Sequence, residues 1–315
     1  MTGHSIRPLR TDDAAAAAAL INAVNQHFRG QDLFTTEEFR AVLGFPSTVP
    51  ERDGRWLTDA QGAPRGLVAV VTSEPWSTAQ MHLSVLPGDD RREVADRLLT
   101  TGIALARGRR ELLPDAVLEA EGVPREDDVL RTVLAARGFA RVRETAEMRR
   151  LLTDLPVVVW PTGVSAEVLR VDDLDQLTAA AGVSREAFTD HDGDYVIPVD
   201  DFVHMVQSMP TARADLSLLA SDASGPVGLA VNSSSLDSQP TGYVGTLAVV
   251  RRARGQGVAK ALLSQSFHLF ADQGWEVATL HVQIGNRTGA DRLYGSVGME
   301  PGTVDETWSL PVASL

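Results

Sequence analysis

The segment "RRARGQGVAK", residues 251–260, sets Arg252 and Arg254 beside glycines at 255 and 257, just ahead of an apolar helical pattern that begins at Val258. A helix start offers backbone N–H groups without intrahelical partners and the positive end of the helix dipole. Glycines there remove the β-carbons that would hold a phosphate away from those amides, and the arginines add charge nearby. The same residues would also suit an ordinary helix start with solvated arginines. Farther along, His281 stands between Leu280 and Val282 in an apolar strand pattern, on the face opposite to theirs, and a histidine titrates near neutral pH. Asn286 and Tyr294 follow within the next stretch.

The elements that must position these residues are legible from the pattern. Thr246–Val250 is apolar and β-branched, so the glycine segment lies at a strand-to-helix turn. The second half of the chain predicts strands at Leu216–Ala220, Val227–Asn232 and Thr241–Val250, a helix over Val258–Gln273, a strand over Glu276–Ile284, a helix over Thr288–Val297 and a strand around Thr307–Leu310. This is a mixed α/β unit with a right-handed strand–helix–strand crossover at its centre.

The first half echoes it. "SIRPLR" followed by Asp12 and Asp13 returns as "SAEVLR" followed by Asp172 and Asp173, each a short strand running into a helix start. "VLAARGF" and "LYGSVGM" both end a helix on glycine followed by a large apolar residue. Pro156, Pro161 and Gly163 punctuate the stretch between the repeats. The expected division is a first domain over 1–156 and a second over 157–315.

Composition narrows the function. A net charge of −13 argues against a nucleic-acid surface, which needs a basic stripe, and suits a cationic substrate. With no cysteine there is no disulfide framework, thiolate metal site or cysteine nucleophile. The alanine-rich N-terminal stretch lacks the pattern of a signal peptide, and no apolar run reaches the roughly 20 residues of a membrane span, so a cytoplasmic protein without membrane contact is expected. Asp190, Asp192 and Asp194 alternate as in a calcium loop, but Tyr195 and Asp201 stand where that loop needs glycine and glutamate. No metal is expected, and the acidic loop reads as solvated.

The glycine turn resembles the pyrophosphate-binding motif of the GCN5-related N-acetyltransferases, Arg/Gln-x-x-Gly-x-Gly/Ala, through Arg252, Gly255 and Gly257 with Ala259 behind them. "LHVQIGNRTGADRLYGSVGME" resembles the segment that completes the acetyl-CoA cleft of that family, and the tandem layout is similar to that of its two-domain members. The resemblance implies two tandem acyl-CoA N-acyltransferase folds, each an α+β mixed sheet. It implies a cleft where Leu247, Ala248 and Val249 pair with the pantetheine arm, and where the amides of Arg254, Gly255, Gln256, Gly257, Val258, Ala259 and Lys260 take the pyrophosphate. It also implies an acceptor site around the acidic loop, whose carboxylates would then hold a cationic amine.

Tyr294 would be the general acid for the departing thiolate, a phenol's pKa lying within about two units of a thiol's, or would only pack beneath the coenzyme. Asn286 would contact the coenzyme or cap a helix. Family members often place a glutamate base on the neighbouring strands; Tyr243 and His281 stand there instead, with His281 the candidate base, and an amine of low pKa would need none. In the first repeat Arg92, Glu93 and Val94 replace the glycine core, Asp89 and Asp90 add negative charge, and Leu134 matches Tyr294. That copy is expected to be non-catalytic.

The implied activity is acetyl transfer from acetyl-CoA to a primary amine of a small molecule or peptide, by a monomer or homodimer. A catalytically idle acyl-CoA-binding or regulatory module is the alternative. A dinucleotide turn is set aside, because Lys260 occupies its third small position and the next strand ends in His281 and Gln283, without the acidic residue a ribose needs.

Overall fold

The computed structural model describes residues 3–72, 76–189, 197–235, 240–285 and 290–314, with backbone alone at 290 and 291. The chain forms two compact units, Met1–Thr145 with Val304–Leu315, and Ala146–Thr303.

Along the first part run β1 (Ser5–Pro8), α1 (Ala14–Arg29), α2 (Thr36–Leu43), α3 (Pro50–Asp53), β2 (Gly54–Thr58), β3 (Pro64–Thr72), β4 (Thr78–Val85), α4 (Arg91–Arg107), β5 (Val117–Pro124), α5 (Asp128–Ala136) and β6 (Ala140–Leu151). Then come β7 (Ser165–Val168), α6 (Leu174–Phe188), α7 (Val199–Ser208), β8 (Leu218–Asp222), β9 (Gly225–Ser234), β10 (Thr241–Val249), α8 (Val258–Asp272), β11 (Val277–Gln283), α9 (Ala290–Ser296) and β12 (Glu300–Pro311). The first unit's sheet has the order β1-β2-β3-β4-β5-β12, the second unit's β6-β11-β10-β9-β8-β7. The first sheet thus ends on a strand from the C-terminal end of the chain: β12 pairs antiparallel with β5, Trp308 opposite Ala120, while β6 from Ala146 onward opens the second unit and belongs with β11.

In each unit one long helix crosses the sheet between two parallel strands. In the first, Val94, Leu98 and Leu99 of α4 are buried against Val68, Val70, Met81 and Leu118. Close approach demands small residues: a Cβ at Gly102 would overlap the Met81 sulfur, and one at Gly66 the Leu98 side chain. In the second, Leu263, Phe267 and Phe270 of α8 pack on Val244, Ala278 and Leu280, and a Cβ at Gly242 would overlap the Phe270 ring. Leu177, Ala180 and Ala181 of α6, with Phe202 of α7, bury Leu219, Leu229 and Ala248 on the opposite side. Burying each of the Val, Leu, Met and Phe side chains stabilises by roughly 1.5–3 kcal/mol.

The repeated Asp pairs stand at both helix starts but are used differently. The Asp173 carboxylate accepts the Gln176 N–H at 2.9 Å and caps α6. Asp13 instead accepts both Arg7 guanidinium nitrogens at 2.7 Å and the Arg10 N–H at 2.9 Å, and its pKa is lowered by Arg7. Helices α5 and α9 end alike: Gly138 and Gly298 take positive φ of 84° and 78°, and the next residue's N–H, Phe139 or Met299, bonds back to the carbonyl of Leu134 or Tyr294 at 3.1 Å. Leu134 and Tyr294 are therefore equivalent positions of the two repeats. The proline-rich stretch before β7 lies along α8, with Trp160 Nε1 donating to Gln265 Oε1 at 2.9 Å and His268 Nε2 lying 3.0 Å from the Pro156 carbonyl.

Strands β4 and β5 pair in parallel only from Thr78–Val117 to Met81–Ala120 and then separate. The separation is filled from within. Arg91, the first residue of α4, donates through both terminal nitrogens to the Asp127 carboxylate at the start of α5, and its Nε reaches the Val85 carbonyl at 3.4 Å. Phe28 lies against the guanidinium, 5.1 Å from ring centroid to Cζ. Arg91 and Asp127 are both buried. Removing one partner of a buried pair leaves an uncompensated charge, so Arg91→Ala should cost about 3–5 kcal/mol in denaturant unfolding, and Arg91→Met with Asp127→Leu should recover most of that loss. An Arg91→Ala chain as stable as the parent would show that the pair does not hold this unit together.

Candidate active site

The second unit repeats the separated strands without the plug. β10 pairs in parallel with β11 at Thr241–Val277, Gly242–Ala278 and Tyr243–Thr279, and there the pairing ends. On its other side β10 continues against β9 as far as Val249–Gly228, with an irregularity between Val244 and Thr246. Gly245 sits in that bulge, and a Cβ there would come within 3.3 Å of the Tyr243 ring. Alternate backbone groups of a strand point to opposite edges, so part of the 244–249 backbone is directed into the gap rather than at a partner strand. A cleft of about 540 Å³ occupies the gap.

One end of the cleft is the start of α8. Gly255 and Gly257 have φ of +74° and +94°, a left-handed conformation that L side chains rarely adopt. A Cβ on Gly255 would meet nothing within 4 Å, and one on Gly257 only Pro161 Cγ at 4.0 Å. The space before the helix is therefore open, and these glycines are required by backbone conformation, not by contact with the protein. Gly257 is the N-cap and no side chain caps the helix, while the Ala261 N–H bonds to the Gly257 carbonyl at 3.0 Å. The amides of Val258, Ala259 and Lys260 precede that bond, and all three residues line the cleft.

Proton-transferring groups flank the other part. Tyr294, buried within the α8–β11 core, and His281, exposed on β11, both line the cleft. Tyr243 Oη lies 3.2 Å from His281 Nδ1, and the two rings meet edge-on with centroids 5.7 Å apart. Burial, joined by the negative charge of Glu147, pushes the Tyr243 hydroxyl up to about 12, so it stays protonated across the physiological range.

The cleft brings together Leu247, Ala248, Val249, Arg254, Gly255, Gly257, Val258, Ala259, Lys260, His281 and Tyr294. Two other predicted residues are turned elsewhere. Arg252 pairs with Asp222 and holds that carboxylate below its usual range, and Gln256 Nε2 donates to the Arg252 carbonyl at 2.9 Å. Arg254 binds the Val249 carbonyl through Nε at 3.1 Å and the Ala187 carbonyl through a terminal nitrogen at 2.9 Å, tying β10 to the end of α6. Asn286 lies outside the described residues, as do Asp190, Asp192 and Asp194. Ala187 and Phe188 line the cleft from the end of α6, a contribution no local sequence signal announces. Among the described residues no group of three or more His, Asp or Glu is placed to hold a metal, and no helix is long and apolar enough to cross a membrane.

Equivalent positions explain why the two units differ. The N-cap of α4 is Asp90, where α8 has Gly257, and the first helical residue is Arg91, where α8 has Val258, so Asp90 and not Arg92 to Val94 takes the place of the glycine core, because those three residues already lie within the helix. Arg65 and His4 hold the Asp90 carboxylate, and Arg65 lowers its pKa. The helix start that could attract an anion in the first unit thus already carries one.

Residues 186–299 match the model of the acetyltransferase (GNAT) family. The chain is 31% identical over 179 residues to the mycothiol acetyltransferase of Thermomonospora curvata, an alignment that covers 56% of this chain and 58% of that relative, less than two thirds of its length. The fold is similar to that of a GCN5-related N-acetyltransferase from Sphaerobacter thermophilus, with TM-score 0.74 and 22% identity over 98% of this chain and 96% of that one. It is also similar to a tandem GNAT protein from the clavulanic acid biosynthesis pathway, with TM-score 0.71 and 17% identity over 98% of both chains. The second unit thus carries the match to the acetyltransferase (GNAT) family model, and the fold of the chain is similar to that of solved GNAT proteins, a tandem one among them.

Proposed function

We propose that the second unit transfers the acetyl group of acetyl-CoA to a primary amine, and that the first unit is a non-catalytic copy. The observation that carries this reading is the open cradle at Gly255 and Gly257, where a β-carbon would meet almost no protein atom and an uncapped helix start faces the cleft. An anionic pyrophosphate fits both the helix dipole and the bare approach. The backbone of Leu247, Ala248 and Val249 would hold the pantetheine arm by adding it to the exposed edge of β10. Bound there, acetyl-CoA supplies an activated acetyl group whose C–S bond breaks as the amine's C–N bond forms, the electron pair leaving on sulfur.

The residues of this chain then move protons. Tyr294 Oη gives its proton to the sulfur, and His281 Nε2 takes the proton that the amine nitrogen sheds. A cationic acceptor accords with the net charge of −13. The relative named above is a mycothiol acetyltransferase, which makes amino sugars and their conjugates reasonable first acceptors to assay alongside polyamines and amino acids.

Gly257→Val forces a branched side chain into a left-handed backbone, at about 1–2 kcal/mol, and crowds the amides that the pyrophosphate approaches. Calorimetry should show acetyl-CoA affinity lowered at least about tenfold while the fold is retained; unchanged affinity would place the coenzyme elsewhere. Tyr294→Phe keeps the packed ring and should keep coenzyme affinity while kcat falls about 10²–10⁴-fold. A variant that loses affinity in proportion to rate would make the hydroxyl an anchor, not an acid. For His281→Ala the rate defect should be largest at low pH and shrink as pH rises, where deprotonated amine becomes abundant; a defect independent of pH would remove His281 as the base.

A further inference from the structure

We infer that Tyr243 is a positioning residue for the reaction proposed above: its hydroxyl oxygen accepts the Nδ1–H of His281 and so keeps the ring's lone pair on Nε2, the nitrogen that takes the amine's proton. The inference deepens that reading and rests on it.

Three placements carry it. Tyr243 is the last residue of β10 paired with β11, opposite Thr279, and His281 is two residues beyond Thr279 on the same face, so the two rings meet where the strands part. His281 lines the cleft and Tyr243 does not, which puts the tyrosine behind the imidazole. The contact is made through Nδ1, at 3.2 Å.

Which atom donates across that contact decides what His281 can do. A hydroxyl that donated to Nδ1 would leave the neutral ring's hydrogen on Nε2, and Nε2 could then take no proton. The negative charge that acts on Tyr243 favours the reverse. In the second unit's sheet β6 lies next to β11, and Met148 is buried in the α8 core, so Glu147 and Arg149 fall on the opposite face with His281. The charge of Glu147 acts on Tyr243, and the hydroxyl keeps its proton. A negative charge draws the hydrogen end of the O–H dipole and leaves the oxygen lone pairs for Nδ1–H. As the C–N bond forms, the amine nitrogen loses one proton to Nε2 and the ring becomes imidazolium. Nδ1–H still donates to Tyr243, now as a stronger, charge-assisted bond. The partner on one ring nitrogen thereby fixes the role of the other.

The test is long-range nitrogen–proton NMR on the full chain with ¹⁵N-labelled histidine, above the ordinary histidine pKa, with His281→Ala assigning the ring. The expected spectrum has a protonated Nδ1 and an unprotonated Nε2. Tyr243→Phe keeps the ring contact and removes only the oxygen; it should move His281 toward the Nε2–H form and lower kcat at least about tenfold, with KM for acetyl-CoA unchanged. A parent ring with its hydrogen on Nε2, a Tyr243→Phe spectrum like the parent's, or a shifted tautomer with parent kcat each overturns the inference. If His281→Ala itself turns over at the parent kcat, the base assignment falls with it; a wrong tautomer beside a defective His281→Ala overturns the positioning role alone.

Discussion

A parallel strand pair that begins hydrogen-bonded and then parts leaves backbone groups that must find partners, because a buried peptide group without one costs about as much as a lost hydrogen bond. Both units contain such a pair, β4 with β5 and β10 with β11, and each is joined through a long helix packed on the sheet. The parting strands govern what surrounds them: the bulge at Gly245, the absence of side chains at the start of α8, and the burial of an arginine in the first unit.

The two units answer the same constraint differently through a few residues at equivalent positions. At the start of α4 a carboxylate stands at the N-cap, on the positive end of the helix dipole, and the guanidinium one residue later joins the end of β4 to the start of α5. At the start of α8 glycine and valine leave the dipole and the strand edge facing a cleft. The tyrosine position follows the same division, with Leu134 in the packed copy and Tyr294 at the cleft.

Much of this was legible in the sequence, because the decisive features are local. A strand-to-helix turn at the two glycines, a helix beginning at Val258 and glycine helix ends at 138 and 298 each follow from a few consecutive residue types; the left-handed backbone at Gly255 and Gly257 is supplied by the fold. Long-range choices were not legible. Arg252 and Arg254 read as charge for a phosphate, yet one reaches Asp222 and the other two backbone carbonyls, because a flexible guanidinium takes whichever acceptors the fold brings near. The pairing of β12 with the first unit's β5 leaves no mark either, since the strand alternates polar and apolar residues and would suit either sheet edge. Tyr243 and His281 were placed on adjacent strands from their positions, but their contact depends on a register that only the fold supplies.

In the proposed function one strand gap receives the coenzyme and the other is filled by the protein itself. Amide hydrogen exchange with and without acetyl-CoA measures this directly, because each backbone N–H reports whether its own site is engaged. The account predicts ligand-dependent protection across residues 244–261 and none across 82–94. Equal protection of both segments, or protection confined to 82–94, would contradict it.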